Sequence, residues 1–275
     1  MFNDVRDILR SKPLIAAHRG VCGGNIPCNS IPAFKAAVLA GADVIELDVD
    51  KTSDGELFIQ HPGMEYIHLR MNDSIKGHPS AYVEKFYQHN WDLTPTQYRI
   101  PRLRDVLELL RGKCFINIDK FWENPEQIAN LIRELKMEDQ IIIKTADNPE
   151  FLDAVERFAP EMPFMALIRD AAAHEELKRR KLNYIGGEVL FDNENSSVAS
   201  PEFIDLMHRD NKLVWVNSIV YNYKADLSAG HNDDISMSES PDLGWGWLAR
   251  RGFDMIQTDF VYPCKAYLER EGLRG

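Results

Sequence analysis

An eight-stranded parallel α/β barrel is the architecture this sequence predicts, and two observations predict it. Eight short β-branched or apolar runs recur along the chain, separated by amphipathic stretches of helical spacing. The length, 275 residues, exceeds an ordinary domain and lies within the range that a (β/α)8 TIM-type barrel takes as a single core. One domain over 1–275 is therefore expected. The runs are Leu14 to His18, Asp43 to Val49, Cys114 to Asp119, Ile141 to Lys144, Phe164 to Ile168, Tyr184 to Leu190, Leu213 to Asn217 and Met255 to Thr258. Between them lie Ser30 to Ala40, Leu103 to Leu110, Pro125 to Leu135, Pro149 to Phe158 and Pro201 to His208, the crossover helices that parallel strands require.

A ninth run, Leu57 to Gln60, interrupts this repeat, because too few residues separate it from the second strand for a parallel crossover. With Asp54-Gly55 as a tight two-residue turn, it folds back antiparallel. On that register His61 falls opposite Asp48, on the same face of the ribbon. A one-residue change in the loop would alter this.

Composition narrows the partners. Hydrophobic residues at 44% and charged residues at 27% fit a globular chain and exclude a disordered or collagen-like one. A net charge of −11 argues against nucleic acid or anionic lipid as a partner, so any phosphate must be met by local groups. The sequence contains no uncharged apolar run of about 18 residues, and stable membrane insertion is not expected. The opening MFNDVRDILRSKPLIAAHRG carries scattered charge and no leader pattern. Cys22, Cys28, Cys114 and Cys264 lack zinc-site spacing, and reduced thiols in a cytoplasm are the simplest reading. A leader trimmed beforehand would leave the same pattern.

The second strand alternates unusually. Ile45, Leu47 and Val49 share one face, while Glu46, Asp48 and Asp50 share the other. A barrel strand is covered on both sides and is expected to be almost wholly apolar. Carboxylates so close together repel unless a cation or several donors lie between them. The third strand repeats the pattern, with Ile116 and Ile118 on one face and Phe115, Asn117 and Asp119 on the other. Three strand-end acids without a thiolate or imidazole set suit a hard divalent ion, Ca²⁺ or Mg²⁺. Glu46, Asp48 and Asp119 are the candidate metal ligands. The competing reading is solvated acids or acids paired with Arg and Lys, which is the one preferred for Asp50.

His18-Arg19-Gly20 after the first strand, Asn29-Ser30 opening a helix, GADVIELDVDKTSDGELFIQHP at 41–62, IPRLRDVLELLRGKCFINIDK at 100–120 and GFDMIQTDF at 252–260 together resemble the glycerophosphodiester phosphodiesterases. The resemblance implies an α/β barrel, a divalent metal held by Glu46, Asp48 and Asp119, His18 and His61 as the catalytic pair, and Arg19 as a phosphate contact. It also places Trp215 and Asn217 near the substrate, although a strand Trp is equally a core residue. Singly, His18 reads as a core histidine, Arg19 as a solvated partner for an acid and His61 as a hairpin surface residue. Jointly, topology gathers them at one barrel mouth.

The sequence departs from the family pattern at four places. The usual acid before the Asn is Cys28, the Asp after the second His is Pro62, and the third acid is Asp119 rather than Glu. The Lys two positions beyond that acid is Phe121, with Lys120 one position early and facing outward on an unbroken strand. Lys144, ending the next strand, is a candidate substitute as a phosphate contact, against a surface-lysine reading. The segment at about 63–98 resembles an inserted region; its Tyr66, Tyr82, Phe86, Tyr87 and Trp91 either cap the mouth or pack on the barrel. The loop from Tyr221 to Leu243 is long enough to reach the active face, although Gly230-His231-Asn232-Asp233-Asp234 has the composition of a solvated turn. Trp245 and Trp247 are expected to pack.

The expected activity is metal-dependent hydrolysis of a small glycerophosphodiester to glycerol 3-phosphate and an alcohol, with either histidine able to serve as acid or base. A catalytically weakened barrel, binding a phosphorylated ligand or acting as a scaffold, is the alternative that the departures motivate. Metal-free cleavage resembling phosphatidylinositol-specific phospholipase C is the third reading. Three acids argue against it, since a metal-free site would place a basic residue among them.

Overall fold

The computed structural model describes residues 13–220, 225 and 227–275. The start of the chain up to residue 12, where no leader pattern was read, and residues 221–224 and 226 of the long polar loop lie outside the described residues. The strands are β1 (Leu14–His18), β2 (Val44–Lys51), β3 (Leu57–Ile59), β4 (Tyr87–His89), β5 (Pro95–Arg99), β6 (Phe115–Asp119), β7 (Ile141–Ala146), β8 (Phe164–Ile168), β9 (Tyr184–Val189), β10 (Leu213–Asn217) and β11 (Met255–Thr258). Hydrogen bonding runs β1-β11-β10-β9-β8-β7-β6-β2, and pairing of β1 with β2 closes the ring. All eight predicted barrel strands are present, joined in parallel.

The helices between them start where their sequences say they should. Ser30, Asn148 and Ser200 each accept a backbone N–H at a helix N-terminus, with proline in the first turn of all three helices. The Leu103–Leu110 helix buries Leu103, Val106, Leu107 and Leu110 against the strands' outward face.

Strand parity divides the core in two. Outward residues such as Ile45, Leu47, Ile116, Ile118, Ile141 and Ile143 pack under the helices. Inward residues Leu14, Ala16, Val44, Phe115, Ile142, Met165, Leu213 and Met255 fill the N-terminal end of the barrel. Each large apolar side chain fully buried there contributes about 1.5–3 kcal/mol. Along the same inward faces the chemistry then changes: Val44 is followed by Glu46 and Asp48, Phe115 by Asn117 and Asp119, Ile142 by Lys144, and Leu213 by Trp215 and Asn217. The barrel is dry at one end and charged at the other.

β3 pairs antiparallel with β2 outside the ring, as expected, but in a different register. Val49 faces Ile59, Asp50 faces Phe58 and Lys51 faces Leu57. Thr52 closes the turn through its N–H to the Glu56 carbonyl, so the loop holds one residue more than the two-residue turn predicted. Gln60, not His61, therefore falls opposite Asp48, its N–H donating to the Asp48 carbonyl at 3.1 Å. Beyond β3 the chain forms short helical turns and the β4–β5 hairpin, over a cluster of Phe58, Leu69, Met71, Ile75, Val83 and Ile100.

Gly20 is the tightest point of the first barrel loop. Its φ is +84°, and a Cβ there would lie 2.7 Å from the Ala33 carbonyl carbon. Gly20→Ala is expected to destabilise the fold by more than about 1 kcal/mol, read as a lower urea midpoint at constant slope. An unchanged midpoint would show that the turn accommodates a side chain.

Candidate active site

Register makes the acidic cluster. His18 is level with Glu46 across β1–β2, and Asp48, one inward position further along, is level with Asp119 across β2–β6, so three carboxylates leave the sheet inward on two successive levels. One oxygen of each lies within 4.8 Å of one of each other. All three acids are well shielded, Asp48 completely. Burial, then the Asp48 charge, pushes the Glu46 carboxyl up to about 7. Asp48 goes the other way: burial opposes its ionisation, but Arg19, Lys120 and the Asn29 amide hold it well below the usual range. Asp119 is also lowered, since Lys144 and Lys120 outweigh its burial.

The first loop supplies part of the compensation. Arg19 and Asn29 both adopt left-handed backbone, with φ of 55° and 52°. This turns the Arg19 N–H onto Glu46 Oε2 at 3.0 Å and brings its Nε to 3.0 Å from Asp48 Oδ2. Asn29 Nδ2 donates to the same Asp48 oxygen at 2.9 Å. Cys28, in the family's acid position, lies against His68 Nε2 at 3.5 Å, and burial pushes its thiol up to about 12.

Lys120 corrects the sequence reading. β6 ends at Asp119, and Lys120 takes a φ of 51°, which swings its side chain inward rather than outward. Its ammonium lies 3.1 Å from Asp48 Oδ1 and 3.1 Å from Asp119 Oδ2. Phe121 then drops into the outer core. Lys144 is no surface lysine either: it is buried, paired with Glu188, 3.7 Å from Asp119 Oδ1 and 4.7 Å from the Trp215 ring centroid. Asn217 Nδ2 donates to the other Glu188 oxygen. Trp215 and Asn217 thus meet Lys144 and Glu188 beside the acidic cluster, both of them buried. Asp50, read as solvated or paired, is buried and lies 3.5 Å from the Lys76 ammonium.

The two histidines occupy opposite environments. His18 Nδ1 donates to Asp259 Oδ1 at 2.8 Å; burial would depress its pKa, but that bond and the Asp259 charge raise it. His61 Nδ1 donates to the Pro62 carbonyl at 2.8 Å, leaving Nε2 4.0 Å from Asp48 Oδ1. Burial lowers its pKa, and Lys120 and Arg19 add to that effect against the Asp48 charge. A backbone carbonyl stands where the family has an acid, and β3 ends early enough for His61 to reach the cluster despite the shifted register.

Sequence reasoning missed Asp259, Asp233 and Glu188. Asp259 follows the last barrel strand, and the strand-end rule could have found it. Asp233 could not be found that way, because its loop reads as a solvated turn. It is instead buried, accepting from the Ser218 hydroxyl, from Thr258 Oγ1 and Trp245 Nε1 at 2.7 Å each, and from the Asp259 N–H at 2.8 Å. Burial still pushes its carboxyl up to about 6. The Asp233 contacts fix the backbone that aims Asp259 at His18. Trp247 stacks on His231 at 3.7 Å, so both tryptophans pack as expected.

A cleft opens over His18, Arg19 and Asp259, with Met64 and Trp91 of the inserted segment in its wall. Trp91 thus reaches the mouth, whereas Tyr82 and Phe86 pack on each other and Tyr87 on Arg99. The oxygen-only acid set, with Asp119 Oδ1 buried and lacking a hydrogen-bond partner, fits a hard divalent cation. Among the described residues, no helix is long and apolar enough to cross a membrane.

The chain is similar to known proteins in sequence and in fold. The chain is 32% identical over 269 residues to the uncharacterized protein YqiK of Bacillus subtilis, covering 94% of this chain and 99% of that one. It is 26% identical over 214 residues to a glycerophosphodiester phosphodiesterase of Bacillus altitudinis, covering 73% and 83%. Its fold matches a glycerophosphoryl diester phosphodiesterase from Parabacteroides distasonis with a TM-score of 0.81 at 21% identity, over 98% of this chain and 93% of that one. An Oleispira antarctica phosphodiesterase, solved in complex with the product sn-glycerol-3-phosphate, matches with a TM-score of 0.67 at 19% identity, over 94% and 97%. A model of the glycerophosphoryl diester phosphodiesterase family matches residues 18–262, and the chain belongs to that family of enzymes.

Proposed function

We propose that this chain hydrolyses small glycerophosphodiesters to glycerol 3-phosphate and an alcohol, using a divalent cation held by Glu46, Asp48 and Asp119. The observation that carries this reading is the convergence of three carboxylates within 4.8 Å beside two histidines of opposite character. When bound, the cation would offset phosphoryl charge and lower the pKa of the attacking oxygen. Arg19 and Lys120 border the same point and oppose the charge that builds on the phosphoryl group in the transition state. Lys144, held by Glu188, acts through Asp119 rather than as a free phosphate contact.

The histidines divide the proton work. His18, its proton held by Asp259, serves as the general acid and delivers it from Nε2 to the leaving alcohol. His61, neutral and tied at Nδ1 to a backbone carbonyl, presents the Nε2 lone pair as the base. The departures that motivated a weakened scaffold are offset here: Pro62 supplies a carbonyl acceptor, Lys120 turns inward, and Asp119 reaches the cluster despite its shorter side chain.

A second reading, cleavage without a metal, has one observation in its favour, the Lys120 ammonium bridging Asp48 and Asp119. Chelation separates the two. Release of glycerol 3-phosphate from glycerophosphocholine is expected to stop with chelator and return with Mg²⁺ or Ca²⁺; turnover that survives chelation transfers the conclusion to the metal-free reading. His18→Ala and His61→Ala are each expected to lower kcat by about 10²–10⁴-fold, and full activity in either removes that histidine from its role.

Asp259→Asn tests the acid assignment separately. Losing the carboxylate charge lowers the His18 pKa, so less of it is protonated at neutral pH. The imidazole NMR titration of His18 is expected to move to lower pH, and the alkaline limb of kcat to move with it. An unmoved titration would mean that Asp259 does not hold the proton.

A further inference from the structure

The long loop after β10 sends one carboxylate back into the barrel wall. Asp233 opens the short helix Asp233–Ser238 and is buried, while Asp234 beside it is exposed. Its N–H donates to the Ser218 carbonyl at 2.6 Å, which ties the returning loop to the residue that follows β10. An ionised carboxylate so placed is costly unless donors meet it, and four do.

The two oxygens divide those donors. Oδ1 accepts from the Ser218 hydroxyl, from Trp245 Nε1 and from Thr258 Oγ1, joining the loop, the segment before the last strand and the end of β11. Oδ2 accepts from the Asp259 N–H at 2.8 Å. The Thr258 hydroxyl in turn accepts from the Phe260 N–H at 2.9 Å, so the peptide units on both sides of Asp259 are strapped to one buried group. Asp259 depends on that strap. Its side chain is 35% exposed, so burial does not select its orientation, yet its Oδ1 stands 2.8 Å from His18 Nδ1.

We infer that Asp233 is a positioning residue for the general acid: Oδ1 anchors the loop, and Oδ2 sets the Asp259 carboxylate against His18 Nδ1, which fixes the direction of His18 Nε2. The inference rests on the phosphodiesterase reading above and on the role of His18 in it. Substitution separates the two oxygens. In Asp233→Asn, an amide oxygen in the Oδ1 place still accepts from the three anchoring donors, while the NH₂ group meets the Asp259 N–H donor to donor. The reverse orientation would set that group against Trp245 Nε1, which can only donate. The loop keeps its anchor and Asp259 loses its aim.

Turnover of glycerophosphocholine with Mg²⁺ is measured for the wild type, Asp233→Asn, Asp259→Asn and the double variant, beside urea unfolding and NMR detection of the His18 Nδ1–H proton. Asp233→Asn is expected to fold and to lower kcat about 10–100-fold with KM unchanged, because the misplaced acid is missed in the transition state and not in binding. The His18 Nδ1–H resonance is expected to weaken or move upfield as its bond to Asp259 loosens. The double variant is expected to be no slower than Asp259→Asn alone, since Asp233 acts through Asp259. Full activity in Asp233→Asn, a change confined to KM, or an unmoved Nδ1–H proton overturns the inference. Losses that add in the double variant, or an Asp233→Asn chain that does not fold, also overturn it, because the role would then be structural. A wild type without turnover overturns the proposed activity instead, and the Nδ1–H resonance then decides the positioning claim by itself.

Discussion

Burying negative charge is the constraint around which this site is organised. Glu46, Asp48, Asp119 and Glu188 all lie inside the barrel, where an unpaired carboxylate is costly. Arg19, Lys120 and Lys144 stand between them, each within ion-pair distance of at least one acid. Removing one partner from a buried pair typically costs about 3–5 kcal/mol, because the other is left uncompensated. The cluster therefore behaves as a unit. Its position follows from the fold, since only the C-terminal ends of the strands leave the apolar plug and come near the cleft.

Much of this was legible in residue order because parity is a rigid rule. Alternation in Val44–Lys51 and Phe115–Asp119 assigns Glu46, Asp48 and Asp119 to the inward face whatever the helices do. The hairpin was legible in kind but not in register: Asp54-Gly55 marks a turn, while the Thr52–Glu56 closure that lengthens the loop depends on local bonding. Lys120 was misread for a related reason. Parity holds only while the strand continues, and nothing in the letters announces the left-handed residue that ends it. Asp233 and Glu188 were illegible because their meaning lies in partners far along the chain, Thr258 and Lys144.

The inserted segment carries the chemistry that the barrel does not dictate. The strands fix where the acidic cluster stands, whereas Met64 and Trp91 of the inserted segment wall the cleft beside it. This division fits a scaffold whose strand ends are constrained by buried charge while its loops are constrained only by their own small core of Phe58, Leu69, Met71, Ile75, Val83 and Ile100. The anchoring is shared: Gln88 in β4 donates to the Asn29 carbonyl at 2.9 Å, and Asn29 bonds Asp48. The inserted segment and the acidic cluster are thus two hydrogen bonds apart.

The backbone records what such placement costs. Arg19, Asn29 and Lys120 are non-glycine residues in left-handed conformation, and all three deliver a side chain to Asp48. Each such residue is unfavourable by about 1–2 kcal/mol in isolation. One would be unremarkable in a loop; three converging on a single carboxylate mean that the geometry around Asp48 outweighs local preference. The apolar plug below and the helix-covered core outside hold the strand ends still enough for that strain to persist. Asp48 is consequently the residue through which stability and chemistry are most tightly joined, since the contacts that keep its charge buried are also the contacts that aim Arg19, Lys120 and His61 at the same point.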